Sequence, residues 1–363
     1  MSTTAEYVEK AESVTVNDWT RSIAPVLQLS NLTIASVNRK GKIVKELVKE
    51  VGFSIYPGEM MGLVGESGSG KSVTAAAVMG MLPKTLRVTD GEISLNGTNL
   101  ASLSEKERRR LRGKKIAYVF QNYQGSFTPF LKIGKQLVEA VRSHESVPLQ
   151  EAKAIALEWL HRVQLPADRV YESYPFQLSG GQLQRASLAA ALMMKPSLII
   201  ADEPTTALDV LNGKQVMDLL ARLQKETHCA VLFISHDLGH VLKRTVRMAV
   251  MYGGRLMESG PTESIRSNPQ HPYTQMLLQA RPLVTARIPG KLTVIPGEPG
   301  AITDQGCPFA LRCPFRIEPC THVPAMTAIG KTHLAACHML HTGGEEIREA
   351  AVGGQTTQSG IWR

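Results

Sequence analysis

The stretch Gly65-Glu66-Ser67-Gly68-Ser69-Gly70-Lys71-Ser72 decides the reading of this chain. It fits the pattern G-x-x-x-x-G-K-[ST] without a mismatch. Its surroundings fit as well. The apolar run Met60–Val64 predicts a strand before it, and the alanine-rich Val73–Leu82 predicts a helix after it. Glycine lets the backbone wrap tightly and aim its N–H groups at phosphate oxygens. Lys71 adds a positive charge over β and γ phosphates, and the Ser72 hydroxyl can ligate Mg²⁺. The start of a helix adds a favourable dipole for an anion. A loop that merely turns the chain has no need of strand, Lys-Ser and helix in that order.

Two more strand ends carry polar groups. Leu198–Ala201 is apolar and runs into Asp202 and Glu203. Acids leaving a buried strand are costly unless a cation or a reaction uses them. Asp202 suits the Mg²⁺ shell, through water, and Glu203 suits a general base facing the attacking water. Phe233-Ile234-Ser235 leads in the same way into His236, placed to hydrogen-bond a γ phosphate and orient that water. Ligands of open α/β sheets bind at this carboxyl edge. Ser179-Gly180-Gly181-Gln182 forms an S-x-x-Q capping box ahead of an alanine-rich helix. Its two glycines leave backbone N–H groups bare at the helix start, which makes a further anion site.

The 363 residues suffice for one large domain and a smaller one, and 43% are hydrophobic. A net charge of +9 fits an anionic partner without choosing nucleotide, nucleic acid or membrane surface. The N-terminus lacks the basic-then-apolar order of a secretory signal. No apolar run approaches the roughly 20 residues that span a bilayer. A cytosolic chain is expected, membrane-bound only through a partner, with its thiols reduced. Residues 1–24 read as a mobile arm. Strand texture covers VLQLSNLTIASV from Val26, and VGFSIYPGEMMGLVG predicts two strands joined at Pro57–Gly58. Helical texture dominates from Ile133 to Lys195, and strands return at SLIIADEP, AVLFISHD and RMAVMYGGRLMESG. Strands alternating with helices predict an α/β fold. After about Pro261, Pro, His, Gly and Cys become frequent, and the last residues read as a disordered tail.

The set GESGSGKS, Gln121, LSGGQLQR, LIIADEP, the TALD ending at Asp209, and His236 resembles the ATP-binding subunit of ABC transporters, over roughly Val26 to Gly260. The resemblance implies a P-loop NTPase of the ABC type, a RecA-like core with antiparallel β and helical subdomains. It implies ATP and Mg²⁺ as cofactors. Gln121 would then ligate Mg²⁺ and sense the γ phosphate, and Asp209 would lie at a dimer seam. The Ser179–Gln182 tip of one subunit would close on the phosphate loop of another, sandwiching two ATP molecules head to tail. Implied partners are two transmembrane permeases, a second ATPase (a sister chain or a copy of itself) and an extracytoplasmic binding protein, with the chain on the cytoplasmic face of the membrane. One departure stands out: Ile34–Val37 reads IASV, with no ring to stack on adenine.

The implied cassette covers residues 25–262, with a helical subdomain near 122–195 facing the permeases. NPQHPYTQMLLQARP, Asn268–Pro282, resembles the C-terminal region of the oligopeptide, dipeptide and nickel import ATPases. That region is expected over 263–342, with a tail over 343–363. It holds Cys307, Cys313, Cys320 and Cys337, without the C-x-x-C pairs usual for zinc. Three readings stay open: an iron–sulfur cluster, which some dipeptide importers of this group hold as [4Fe-4S]; zinc; or reduced thiols packed as small apolar groups. Cys229, in the apolar run CAVLFIS, reads as core. The basic run Arg108–Lys115 has no interleaved aromatics, so it predicts a solvated helix face and no nucleic acid. The cargo stays open between peptide and nickel chelate. The alternative is a non-transport ABC ATPase acting in DNA repair or on ribosomes.

Overall fold

The computed structural model describes residues 23–206, 209–280, 294–298, 300–303 and 305–341. The expected N-terminal arm lies outside the described residues through position 22, as do Ala207 and Leu208 of the TALD motif and the expected tail. The chain forms two compact units. One comprises Ala24–Leu63 and Lys71–Val246, and the other Val64–Gly70 with the residues from Arg247 on.

In the first unit the elements run β1 (Leu27–Val37), β2 (Ile43–Ile55), β3 (Met60–Val64, whose last residue belongs to the second unit), α1 (Lys71–Val78), β4 (Leu86–Leu95), β5 (Thr98–Asn99), α2 (Glu105–Leu111) and β6 (Ile116–Val119). They continue with α3 (Ile133–His144), α4 (Leu149–Arg162), α5 (Ala167–Glu172), α6 (Gly180–Leu192), β7 (Leu198–Asp202), α7 (Val210–Thr227), β8 (Ala230–Ser235) and α8 (Leu238–Arg244). Strands β2, β1, β4 and β5 form an antiparallel sheet in that order. The expected strand pair around Pro57–Gly58 is present, but its members part: β2 joins this sheet, and β3 lies beside β8 in another. Gly58, at φ +70°, makes the turn between them.

Strands β6, β7 and β8 are parallel. Every residue of β7 and β8 is buried, as expected of a parallel sheet covered on both faces. Cys229, just before β8, is buried with them. The helix after the phosphate loop is shorter than the sequence predicts. It starts at Lys71 and ends at Val78, because Gly80, at φ +63°, turns the chain out. Helix α3 buries Ile133, Leu137, Val138 and Val141, a helical stripe. The basic run begins in the last turn of α2, with Arg109, Arg110 and Lys115 exposed and Arg108, Arg112 and Lys114 half-buried, while a capping box at Ser104 and Glu107 closes the other end of the helix.

In the second unit β9 (Arg247–Tyr252) and β10 (Arg255–Pro261) form a hairpin. Gly253 and Gly254 link them, both at positive φ, as a two-residue hairpin turn prefers. Helices α9 (Thr262–Ser267) and α10 (Pro272–Gln279) follow, then β11 (Thr327–Ala328) and β12 (Leu334–Ala335). Strand β12 pairs antiparallel with β10. Tyr252, Tyr273 and Phe309 pack ring on ring, with centroids 4.7–5.3 Å apart. Glu258 is fully buried, yet it is well matched. It accepts the backbone N–H groups of Gln270 and His271 at 2.8 and 2.9 Å and lies 2.7 Å from His333 Nε2.

Candidate active site

Strand register gathers the first group. Val119 pairs with Ala201 and Asp202 with Ile234, so Gln121, Glu203 and His236 all follow the same carboxyl edge. Glu203 adopts φ +47°, the left-handed region that a non-glycine residue enters at some strain, as functional residues often do. Its Oε1 lies 2.9 Å from His236 Nδ1. Its Oε2 accepts from Thr206 Oγ1 at 2.9 Å and Gln121 Nε2 at 3.3 Å. Burial works to raise its pKa, but hydrogen bonds from His236 and Thr206, with the charges of His236 and Lys71, outweigh that and hold it below the ordinary value. Glu203 is therefore ionised at neutral pH and accepts only. The proton shared in that contact belongs on His236 Nδ1, which leaves Nε2 as the ring nitrogen not engaged with Glu203.

Asp202 is 8% exposed. Its Oδ2 accepts from Tyr118 OH at 2.7 Å, but its buried Oδ1 has no hydrogen-bond partner among the described residues. A buried carboxylate oxygen left so is costly. The hydration shell of a divalent cation is a fitting partner, so the residues present suit Mg²⁺.

The phosphate loop begins in the second unit. At Gly65 a Cβ would collide with the Met251 carbonyl, so only glycine fits. A turn follows, in which Ser69 N donates to Glu66 O at 3.2 Å. Glu66 N donates to Tyr273 OH at 2.9 Å, and Arg312 Nη1 donates to Glu66 Oε2 at 2.7 Å. Ser67 and Gly68 are exposed; Ser69 and Gly70 are buried. The chain then enters α1 of the first unit with Lys71 buried at its first position and Ser72 exposed.

Ser179 caps α6 with the predicted box: its Oγ accepts from Gln182 N at 3.3 Å, and Gln182 Oε1 accepts from Ser179 N at 3.1 Å. Asp209 caps α7 by accepting from Leu211 N and Asn212 N at 3.1 and 3.0 Å. Asn212 links the two caps. Its Nδ2 donates to Asp209 at 2.5 Å, and a Cβ on Gly181 would stand 3.1 Å from its Oδ1. Gly180 opens α6.

The sequence reading missed Thr206, Tyr118, Asn212, Tyr273 and Arg312. Thr206 lies three residues past Glu203, a spacing that signals a local hydrogen bond. Nothing in the sequence pairs Arg312 with Glu66, 246 positions away.

Cys307, Cys320 and Cys337 are buried and Cys313 is half-buried. Burial pushes the thiols of Cys307 and Cys313 up, to about 11 and about 12, and the neighbouring cysteines push the same way. Among the described residues, however, no three His, Cys, Asp or Glu side chains gather as a metal site. No helix among the described residues is long and apolar enough to cross a membrane.

The family model described as ABC transporter matches residues 48–206. A second, described as Oligopeptide/dipeptide transporter, C-terminal region, matches 257–320. The dipeptide transport ATP-binding protein DppD of Bacillus subtilis is 40% identical over 318 residues, 86% of this chain and 94% of that protein. The oligopeptide transport ATP-binding protein OppD of the same organism is 38% identical over 324 residues, 88% of this chain and 90% of that one. A solved dimeric ATP-binding cassette, in a post-hydrolysis state with ADP and Pi, superposes with a TM-score of 0.57 at 28% identity, over 65% of this chain and 98% of that one. These relatives are transport proteins, so the repair or ribosomal alternative falls. Likeness of this extent, over cassette and C-terminal region together, makes the chain a member of the ABC transporter ATP-binding family and an ATP-hydrolysing transporter subunit.

Proposed function

We propose that this chain powers the import of peptides across the cytoplasmic membrane. It would work from the cytoplasmic face with two permeases, a second ATPase and an extracytoplasmic binding protein. The observation that carries the reading is the joint match to the cassette and to the C-terminal region of oligopeptide and dipeptide transporters. The proposed division is a cassette over 25–262, with its helical part at 122–195, and a Cys-rich region over 263–342.

In this reading Gly65–Ser72 cradles the ATP phosphates. Ser72, Gln121 and Asp202 would hold the Mg²⁺ shell, and the cation would supply charge neutralisation of the phosphates. Glu203 takes the proton of the attacking water and His236 orients the γ phosphate. Ser179–Gln182 and Asp209 complete the site of a facing ATPase. Their joint packing through Asn212 supports treating them as one moving piece. Vesicles carrying the assembled transporter test the cargo: a labelled dipeptide should accumulate with ATP, and accumulation of a nickel chelate instead would overturn the peptide reading.

The proposal extends to Cys307, Cys313, Cys320 and Cys337 as ligands of a [4Fe-4S] cluster, ahead of zinc. Their shared burial in one short region supports it, and the cluster would have to draw the four thiols together, since no three such side chains gather among the described residues. Ligation would require thiolates, which a cation of that charge induces. Protein purified without oxygen should be brown and carry about four irons per chain. Zinc or no metal there would remove the cluster and leave the ATPase untouched.

A further inference from the structure

A carboxylate in a phosphate loop calls for an explanation. Glu66 follows the first glycine of the loop, where its negative charge opposes an incoming triphosphate. The structure gives it a partner. Arg312, whose side chain is 2% exposed, donates from Nη1 to Glu66 Oε2 at 2.7 Å. The same guanidinium is fixed from two other directions. Its Nε donates to Pro296 O at 2.7 Å, and Nη1 lies 3.2 Å from Tyr252 OH. Tyr273, whose ring packs tilted against Tyr252, accepts from Glu66 N at 2.9 Å. Both the side chain and the backbone of Glu66 are thus held by residues that follow the cassette's last strands. A buried arginine held by fixed acceptors has little freedom to leave its carboxylate.

We propose that Arg312 is a positioning residue for the phosphate loop: it neutralises Glu66 and fixes the loop in the form that receives the nucleotide. The C-terminal region is then a working part of the ATP site, and a cassette cut off before it binds nucleotide poorly. The inference rests on the assignment of Gly65–Ser72 as the phosphate loop. Lys71→Ala tests that assignment separately, since full nucleotide affinity in that variant would fell the loop reading itself.

The test uses the full-length chain and its steady-state ATPase, with Arg312→Met, Glu66→Gln and the double variant. Arg312→Met removes the guanidinium that Glu66 Oε2 accepts from. Its KM for ATP should rise on the order of tenfold with kcat changed far less, a positioning loss of the kind a small displacement produces. The double variant removes both charges and should return KM to within about threefold of the parent, since neither charge is then left without the other. A residue that only holds the C-terminal region together would give a KM that Glu66→Gln cannot rescue. That result, or an unchanged KM in Arg312→Met, overturns the proposal. Should Arg312→Met not fold, Glu66→Gln alone decides. It keeps the shape and an acceptor for Arg312, so its KM should hold or fall, and a tenfold rise would overturn the neutralising role.

Discussion

Glu203 Oε1 stands 2.9 Å from His236 Nδ1, and this contact joins the ends of two neighbouring parallel strands. The pair divides the chemistry between a carboxylate held ionised and a ring held in one orientation. Glu203→Gln keeps the size and one acceptor oxygen but cannot take a proton. Hydrolysis should fall by roughly 10²- to 10⁴-fold while ATP binding persists. Single-turnover hydrolysis and equilibrium nucleotide binding check this together. Ordinary turnover in the variant would remove Glu203 as the base.

Asp202 makes a second, independent prediction. Its Oδ2 is occupied by Tyr118 and its Oδ1 is unmatched. Asp202→Asn should weaken Mg²⁺-dependent nucleotide binding and leave metal-free binding nearly unchanged. Titrating Mg²⁺ against a fixed nucleotide concentration separates the two. Tyr118→Phe should act differently, costing about 1 kcal/mol of stability by leaving the second Asp202 oxygen unpaired. A melting curve unchanged in that variant would show the contact to be idle.

The fold was legible where the chain's local period was unambiguous. Met60–Val64, Leu198–Asp202 and Ala230–Ser235 are short, apolar and followed by polar residues, and each is a buried strand. The site was legible where chemistry is local in sequence, as in the Ser179–Gln182 box. It was illegible where contacts are remote. Arg312 reaches Glu66 only because the hairpin Arg247–Pro261 leads the chain onward to it, and no spacing rule encodes that. The left-handed backbone of Glu203 is equally hidden, since glutamate carries no preference for it.

His271 predicts an acid-labile fold. It is fully buried, caps α10 by accepting from Tyr273 N at 3.0 Å, and burial pushes its pKa down to about 4 from 6.5, against a smaller upward pull from Glu258. The folded state thus refuses a proton that the unfolded chain accepts below pH 6.5. Its stabilising share is complete above that pH and is lost as pH falls toward 4, by at most about 3 kcal/mol. Asn is a good helix cap and does not titrate here. Melting temperatures between pH 6.5 and 4 should therefore fall less steeply in His271→Asn. Parallel profiles for parent and variant would refute this role.

Phe130 and Phe176 are 85% and 73% exposed, far more than large rings usually are. They flank segments tied together by Ile133 N donating to Ser173 O at 2.9 Å, so two open rings lie on neighbouring stretches of the helical part. Exposed aromatics of this kind favour a protein interface. Phe130→Asp should leave the ATPase of the isolated chain unchanged and reduce its co-purification with the permeases at least tenfold, about 1.4 kcal/mol of docking. Undiminished recovery of the assembled transporter would place the permease contact elsewhere, and a loss of basal ATPase would show instead that Phe130 supports the fold.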